Sequence, residues 1–374
     1  MIIKNLLTLF SLLFINPFLF ASNIDKLNMP EGFKISIFAD EIISPRQITE
    51  SENGYIFVGS KTNNGKIIVL IDNDKDGYAE EKLIVAEGLD FPTGVSINNG
   101  DLYFSEIDKI WVIRDIESWL DNKLEGLPKK ELYTDNLPSE TWHGYKYIDF
   151  GPDDNIYVSV GAPCNVCIEP QEKDKRFAAI HRYINGELIP VAEGVRNSVG
   201  FDWSPKTKKL YFTDNGRDWL GDDSPSCELN VINEEGSFFG FPYKHAKNVI
   251  DPEFGKLIPS INKEFVDPIA ELGPHVAPLG MVFYDNNMFP KKYKDSIFIA
   301  LHGSWNRTKK SGYKIIFVKL DEEGNYMYQE DFITGWLVNE NAWGRPVSPF
   351  IMSDGSMLIS DDKSNVIYRV TYSG

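Results

Sequence analysis

Apolar positions in this chain gather in short runs rather than at helical spacing. Six runs, each after a Gly/Asp/Asn/Pro turn, are Tyr55-Ile56-Phe57-Val58, Leu102-Tyr103-Phe104, Ile156-Tyr157-Val158, Leu210-Tyr211-Phe212, Ile297-Phe298-Ile299 and Met357-Leu358-Ile359. They recur at intervals of 47, 54, 54, 87 and 60 residues. Aromatic and β-branched residues fit a pleated, half-buried surface, and strands repeating at long period signal a propeller or a solenoid. A strand after a Gly/Pro/Asn-marked corner precedes each run, beginning at Pro45, Pro92, His143, Arg196, Pro278 and Arg345. A third strand follows each run, at 66–71, 109–113, 180–184, 228–232, 313–320 and 366–372. A more polar fourth completes four of them, at 82–86, 131–134, 188–192 and 328–333. Four antiparallel strands are the propeller unit. The chain therefore reads as all-β, a six-bladed β-propeller over 22–374.

Two irregularities add detail. The sixth repeat ends at Tyr372 with no fourth strand, and 33–38 at the other end is a strand without a repeat. The N-terminal strand is thus expected to close the last blade. Residues 233–275, between blades four and five, show no clear alternation and read as an insertion packed over one face.

A propeller brings the loops entering the innermost strands, and the loops between strands two and three, to one face. That face receives Thr93, His143, Arg196, Asn197, His275 and Arg345, and the longest loops, 161–177, 214–227 and 302–312. Long loops gathered on a rigid scaffold are where function usually sits.

The N-terminus carries Lys4, a mostly apolar stretch over 6–20, and Ala21-Ser22. This is the pattern of a secretory signal, 1–21, cleaved near Ala21. The stretch is short for a span and contains Asn16 and Pro17, so the mature chain is expected to be periplasmic or secreted, with no membrane span. With 38 basic against 55 acidic residues, the net charge of −17 repels phosphate backbones, so no nucleic acid is expected as a partner. Cys164 and Cys167 form a C-x-x-C pair, and Cys227 stands alone. Position 168 is Ile, not the His of a haem attachment site, and no second ligand pair suggests zinc. A loop disulfide is the first expectation; Cys227 pairing with Cys164 or Cys167 is the rival.

On the loop-rich face, His143 can take a proton near neutral pH, as a general base must. Arg196, beside Asn197, can stabilise developing negative charge. Trp305, Arg307, Trp343 and Arg345 lie in the blade-five loop and at the blade-six corner. Guanidinium forks match carboxylates and indole faces stack on flat rings, so the expected ligand is planar and polyanionic.

The stretches Trp142-His143-Gly144, Gly161-Ala162-Pro163-Cys164-Asn165-Val166-Cys167, Gly194-Val195-Arg196-Asn197-Ser198-Val199-Gly200-Phe201-Asp202-Trp203, Thr213-Asp214-Asn215-Gly216-Arg217-Asp218-Trp219, Phe239-Gly240-Phe241-Pro242, Leu272-Gly273-Pro274-His275 and His302-Gly303-Ser304-Trp305-Asn306-Arg307 run in order along the chain. Together they resemble the sorbosone dehydrogenase family, related to the soluble quinoprotein glucose dehydrogenases. The resemblance implies pyrroloquinoline quinone (PQQ) held with Ca²⁺, and oxidation of a sugar or aldehyde, sorbosone-like or an aldose. It gives His143 the role of the base that takes the hydroxyl proton, and Arg196 and Asn197 that of the pair binding the quinone oxygens. Arg345, Arg307, Trp305 and Trp343 become cofactor contacts. The backbone carbonyls of Gly240, Phe241 and Pro242 become the calcium site, hard donors suited to a hard cation.

Thr93 stands where the pattern has an amide side chain, and the blade-six clamp offers one arginine where the glucose dehydrogenases carry two. No cytochrome segment follows Gly374, so a separate electron acceptor, a quinone or a cytochrome, is expected. Asp72, Asp74 and Asp76 have the D-x-D-x-D-G spacing of a calcium loop, with Leu83 rather than Glu at its twelfth position, so a second calcium site and a plain polar turn both fit. Two alternative functions are a calcium-dependent lactonase, against which the Arg and His corners argue, and a non-catalytic binding propeller.

Overall fold

A computed structural model describes residues 23–122 and 125–374; the expected signal sequence lies outside them. The chain forms a six-bladed β-propeller. Its sheets, ordered from inner to outer strand, follow the sequence. Blade one is Pro45–Glu50, Ile56–Ser60, Asn63–Ile71 and Glu81–Asp90, and blade two runs from Val95–Asn98 to Lys130–Thr134. Blades three, four and five begin at Ile148–Phe150, Phe201–Trp203 and Pro278–Phe283. Among the described residues no helix is long and apolar enough to cross a membrane.

The second strands Ile56–Ser60, Ile156–Val160, Leu210–Asp214, Ile297–Leu301 and Met357–Asp361 are buried at every position. Each is covered on both faces by the neighbouring blades. A strand covered on both faces reads as a continuous apolar run rather than an alternation, which is why these segments stand out in the sequence. Outer strands meet water, and Tyr326–Ile333 is mostly exposed until its last two residues.

Blade six closes as expected. Its strands Pro346–Ile351, Met357–Asp361 and Val366–Tyr372 accept the N-terminal Phe33–Ala39 as the outer strand, with Phe33 opposite Tyr372. Phe33 enters an aromatic cluster, with ring centroids 4.8 Å from Phe289, 4.9 Å from Phe332 and 5.4 Å from Tyr293. Phe33→Ala should cost about 3–5 kcal/mol, read as a lower midpoint in chemical denaturation, because the cavity opens in the closure of the ring itself.

The segment 233–275 differs from expectation. Its end is the missing outer strand of blade four: Ala270–Pro274 pairs with Ser226–Val231. Near its start, Ser237–Phe238 pairs in parallel with Glu187–Glu193 as a fifth strand of blade three. The inserted part therefore ties blades three and four together at their rims. Cys164 and Cys167 are disulfide-bonded, and Cys227 is a buried free thiol.

Candidate functional site

The inner strands of blades one, five and six begin with a bulge after Pro45, Pro278 and Pro346. Proline has no N–H for the ladder, and a bulge re-aims the residues beside it. The entry corners of blades three to six and the loop after Leu301 enclose a cavity of about 300 Å³, lined among others by His143, Arg196, Asn197, His302, Trp305 and Arg345.

His143 sits at φ 52°, a left-handed conformation, while its Nδ1 lies 2.7 Å from the carbonyl of Ala162. That carbonyl can only accept, so Nδ1 carries the proton and Nε2 is bare. Burial, with the nearby Arg196 charge, pushes the imidazole down to about 3. Gly161 makes room for it: a Cβ there would lie 2.6 Å from the His143 Cβ and 3.0 Å from the Asn197 Oδ1.

Arg196 is 3 % exposed. Its Nε donates to the Asn165 carbonyl (2.9 Å), Nη1 to the Asn215 carbonyl (3.1 Å), and Nη2 to Asn165 Oδ1 (2.9 Å) and Asp218 Oδ2 (3.3 Å). Four of its five N–H groups are thus taken, and one has no partner among the described residues. Asn165, lying between the bonded cysteines, accepts two of those four. The backbone N–H groups of Arg196 and Asn197 donate to Asp214 Oδ2 and Oδ1, at 2.8 and 2.7 Å. Asp214 faces Glu228 across the sheet. Burial pushes both carboxyls above their ordinary range, and the Asp214 charge adds to the rise at Glu228.

Arg345 repeats the scheme one-third of the way round the ring. Its N–H donates to Asp361 Oδ1 (2.9 Å), its Nε to the His302 carbonyl (3.0 Å), its Nη2 to the Gly303 carbonyl, and its guanidinium lies 5.4 Å from the Tyr313 ring centroid. Three of its N–H groups have no partner among the described residues. Asp214 and Asp361 both end a second strand, and each holds the backbone of its own blade's entry corner. Terminal aspartates of this kind, in Thr213-Asp214 and Ser360-Asp361, are a signal the sequence reading did not use.

Residues 20–369 match the family model described as Domain of unknown function (DUF7133). The chain belongs to that family. An uncharacterized protein of Borreliella burgdorferi is 38 % identical over 359 residues, covering 92 % of this chain and 91 % of its own. Two solved structures share the fold. A family AA12 carbohydrate-active enzyme of Trichoderma reesei has a TM-score of 0.76 at 18 % identity, covering 93 % of this chain and 98 % of its own. The PQQ domain of Coprinopsis cinerea pyranose dehydrogenase, in its holo form, has a TM-score of 0.75 at 17 % identity, covering 92 % and 97 %.

Of the remaining candidates of this DUF7133 chain, Trp305 lines the cavity, while Thr93, Trp343 and Arg307 do not. Thr93 is buried, its hydroxyl donating to the Lys146 carbonyl (2.9 Å). Trp343 packs beside Trp336 and donates its indole N–H to the Gly335 carbonyl (2.7 Å). Arg307 turns to the Asp222 carbonyl (2.9 Å) and the Asp223 carboxylate (2.7 Å), lining a separate cleft. Trp305 is on the cavity wall but 67 % exposed, edge-to-face with Trp219 at 5.6 Å.

The cavity fits a flat polyanion: Arg345 has free N–H groups, Arg196 has one, and a bare imidazole nitrogen stands beside them. For calcium the fit is narrower. The Gly240 carbonyl already accepts N–H groups from Tyr243 (2.8 Å) and Lys244 (3.0 Å), so Gly240 is spent as a ligand. The Phe241 and Pro242 carbonyls have no donor among the described residues, and both residues line a neighbouring, mainly apolar cleft. In blade one, ligand oxygens of Asp72, Asp74, Asp76 and Glu80 lie within 4.8 Å of one another. They lie between strands three and four, on the face opposite the cavity.

Proposed function

We propose that this protein is an exported PQQ-dependent dehydrogenase that oxidises a sugar or aldehyde, aldose or sorbosone-like, with Ca²⁺ beside the cofactor. One observation carries the reading: His143, whose Nε2 is bare, lines the same cavity as Arg196 and Arg345, whose guanidiniums keep N–H groups with no partner among the described residues. The names of the structural neighbours, sugar-oxidising and PQQ-binding, point the same way.

PQQ, when bound, supplies the two-electron acceptor. Arg345 would hold its carboxylates, and Arg196 and Asn197 would bind its ring oxygens. Of the expected calcium carbonyls, Phe241 and Pro242 remain without a donor among the described residues but line the neighbouring cleft, so calcium held by them would reach the cofactor from outside the cavity wall. His143 Nε2 takes the substrate's hydroxyl proton: the O–H bond breaks and an N–H bond forms. The Ala162 carbonyl keeps the ring in the tautomer that can do this. A separate quinone or cytochrome would then receive the electrons.

The test is a visible spectrum of the purified protein with PQQ and Ca²⁺, before and after a panel of aldoses, followed by dye reduction. A cofactor band that changes with sugar is the expected result. No band and no dye reduction with any sugar would end the proposal.

A further inference from the structure

We propose that His302 and Asp362 form a second acid–base dyad in this cavity, which receives the proton first taken by His143 and returns it to water. The proposal rests on the functional reading above.

The two histidines are anchored in opposite senses. His143 is tied through Nδ1, which leaves Nε2 bare. His302 is tied through Nε2, 2.8 Å from Asp362 Oδ1. A carboxylate accepts, so His302 carries its proton on Nε2 and its bare atom is Nδ1. No partner for that Nδ1 occurs among the described residues, and His302 lines the cavity. His302 ends up there because it follows the buried second strand Ile297–Leu301, on the wall shared with Arg345.

The partners of the two rings differ in charge. His143 faces a neutral carbonyl and the Arg196 cation. His302 faces a carboxylate, so its imidazolium form has a counter-charge in contact. Asp362 is held in turn by Arg46 Nη1 at 3.0 Å and faces Lys61 Nζ at 3.8 Å. His302, Arg46 and Lys61 keep it ionised, well below the usual carboxylate range. The charges around His302 are Asp362 in contact, Arg345 at its own carbonyl, and Arg46 and Lys61 behind the carboxylate. Across the cavity stand His143 and Arg196. Burial pushes His302 down to about 4, against about 3 for His143. With a carboxylate in contact with His302 and only a carbonyl at His143, a proton released by His143 is better held at His302. The step is a proton transfer only: the His143 Nε2–H bond breaks, a His302 Nδ1–H bond forms, and the proton then passes to water at the rim.

The experiment begins with nitrogen-15-labelled histidine in the full-length protein without cofactor. His302 should show the Nε2–H tautomer and His143 the Nδ1–H tautomer. Asp362→Asn should lower the His302 titration midpoint by about one pH unit, a tenfold change in proton affinity. With PQQ, Ca²⁺ and sugar, His302→Ala should lower kcat at least about tenfold, raise the solvent deuterium isotope effect, and be partly rescued by added imidazole. A Nδ1–H tautomer at His302, or a His302→Ala enzyme with unchanged kcat and isotope effect, overturns the dyad. If Asp362→Asn does not fold, the wild-type tautomer and His302→Ala decide. If the wild type oxidises no sugar, the enzyme reading falls, and the tautomer and titration of His302 decide the dyad alone.

Discussion

His143→Ala should lower the rate of sugar-dependent dye reduction by about 10²–10⁴-fold, the range lost with a general base, with little change in circular dichroism. Its Nδ1 is committed to the Ala162 carbonyl, so Nε2 is the one atom that can act. The side chain makes no other hydrogen bond among the described residues, and its loss leaves no buried charge behind. The pH dependence has a definite sign. The neutral ring is the active base, and burial with Arg196 places its midpoint near 3 instead of 6.5. The acid limb of cofactor-free His143, followed by nuclear magnetic resonance, should therefore lie well below pH 6. Turnover unaffected by the substitution would remove His143 from the base role, and a ring titrating near pH 6.5 would mean that it is not desolvated as its burial beside Arg196 requires. Gly161→Ala should share part of the defect, because its Cβ would press on both His143 and Asn197.

How far the sequence carried this depended on what each residue touches. The second strands were legible because blades cover both of their faces, so residues such as Phe57, Phe212 and Phe298 sit in unbroken apolar runs. Closure was legible because one repeat lacked a strand that 33–38 could supply. The outer strand of blade four was not. Ala270–Pro274 is short, contains Gly and Pro, and lies at the end of a long insertion that shifts the repeat spacing. Corner positions brought His143, Arg196, Asn197 and Arg345 to one cavity, because topology sets where a corner goes. Side-chain direction at Thr93, Trp343 and Arg307 was set instead by local partners. The buried Thr93 hydroxyl and the part-buried Trp343 indole N–H each find an acceptor, and Arg307 has Asp223 beside it. His302 escaped attention because it ends a second strand rather than starting an inner one, and its partner Asp362 lies 60 residues away.

Arg196→Lys should lower kcat by about 10²–10³-fold, the loss seen when a donor aimed at developing charge is removed, and should do so in a protein that still folds. The side chain is buried, and its fork is shared among two carbonyls, an amide oxygen and Asp218. Alanine would take the cation from half-buried Asp218 and leave a cavity and unpaired carbonyls where a buried side chain stood, so that variant would confuse folding with function. Lysine keeps the charge near Asp218 but has no planar fork. It cannot serve both Asn165 oxygens and the Asn215 carbonyl while also presenting an N–H to the cavity. The backbone anchor survives, since Asp214 holds main-chain N–H groups rather than the side chain. The expected pattern is therefore a large fall in kcat, a weaker PQQ-induced absorbance, and a folded protein with a modestly lower denaturation midpoint, because acceptors of the lost fork go unpaired. Asn165→Ala, which removes the Oδ1 acceptor of Arg196 and the Nδ2 donor to the Asp218 carbonyl but keeps the backbone carbonyl that Arg196 Nε uses, should give a smaller fall of the same kind. Wild-type kcat in Arg196→Lys would mean that the cofactor ring is held elsewhere. Arg196 would then be what its four internal hydrogen bonds alone describe, a strut joining the disulfide loop to blade four.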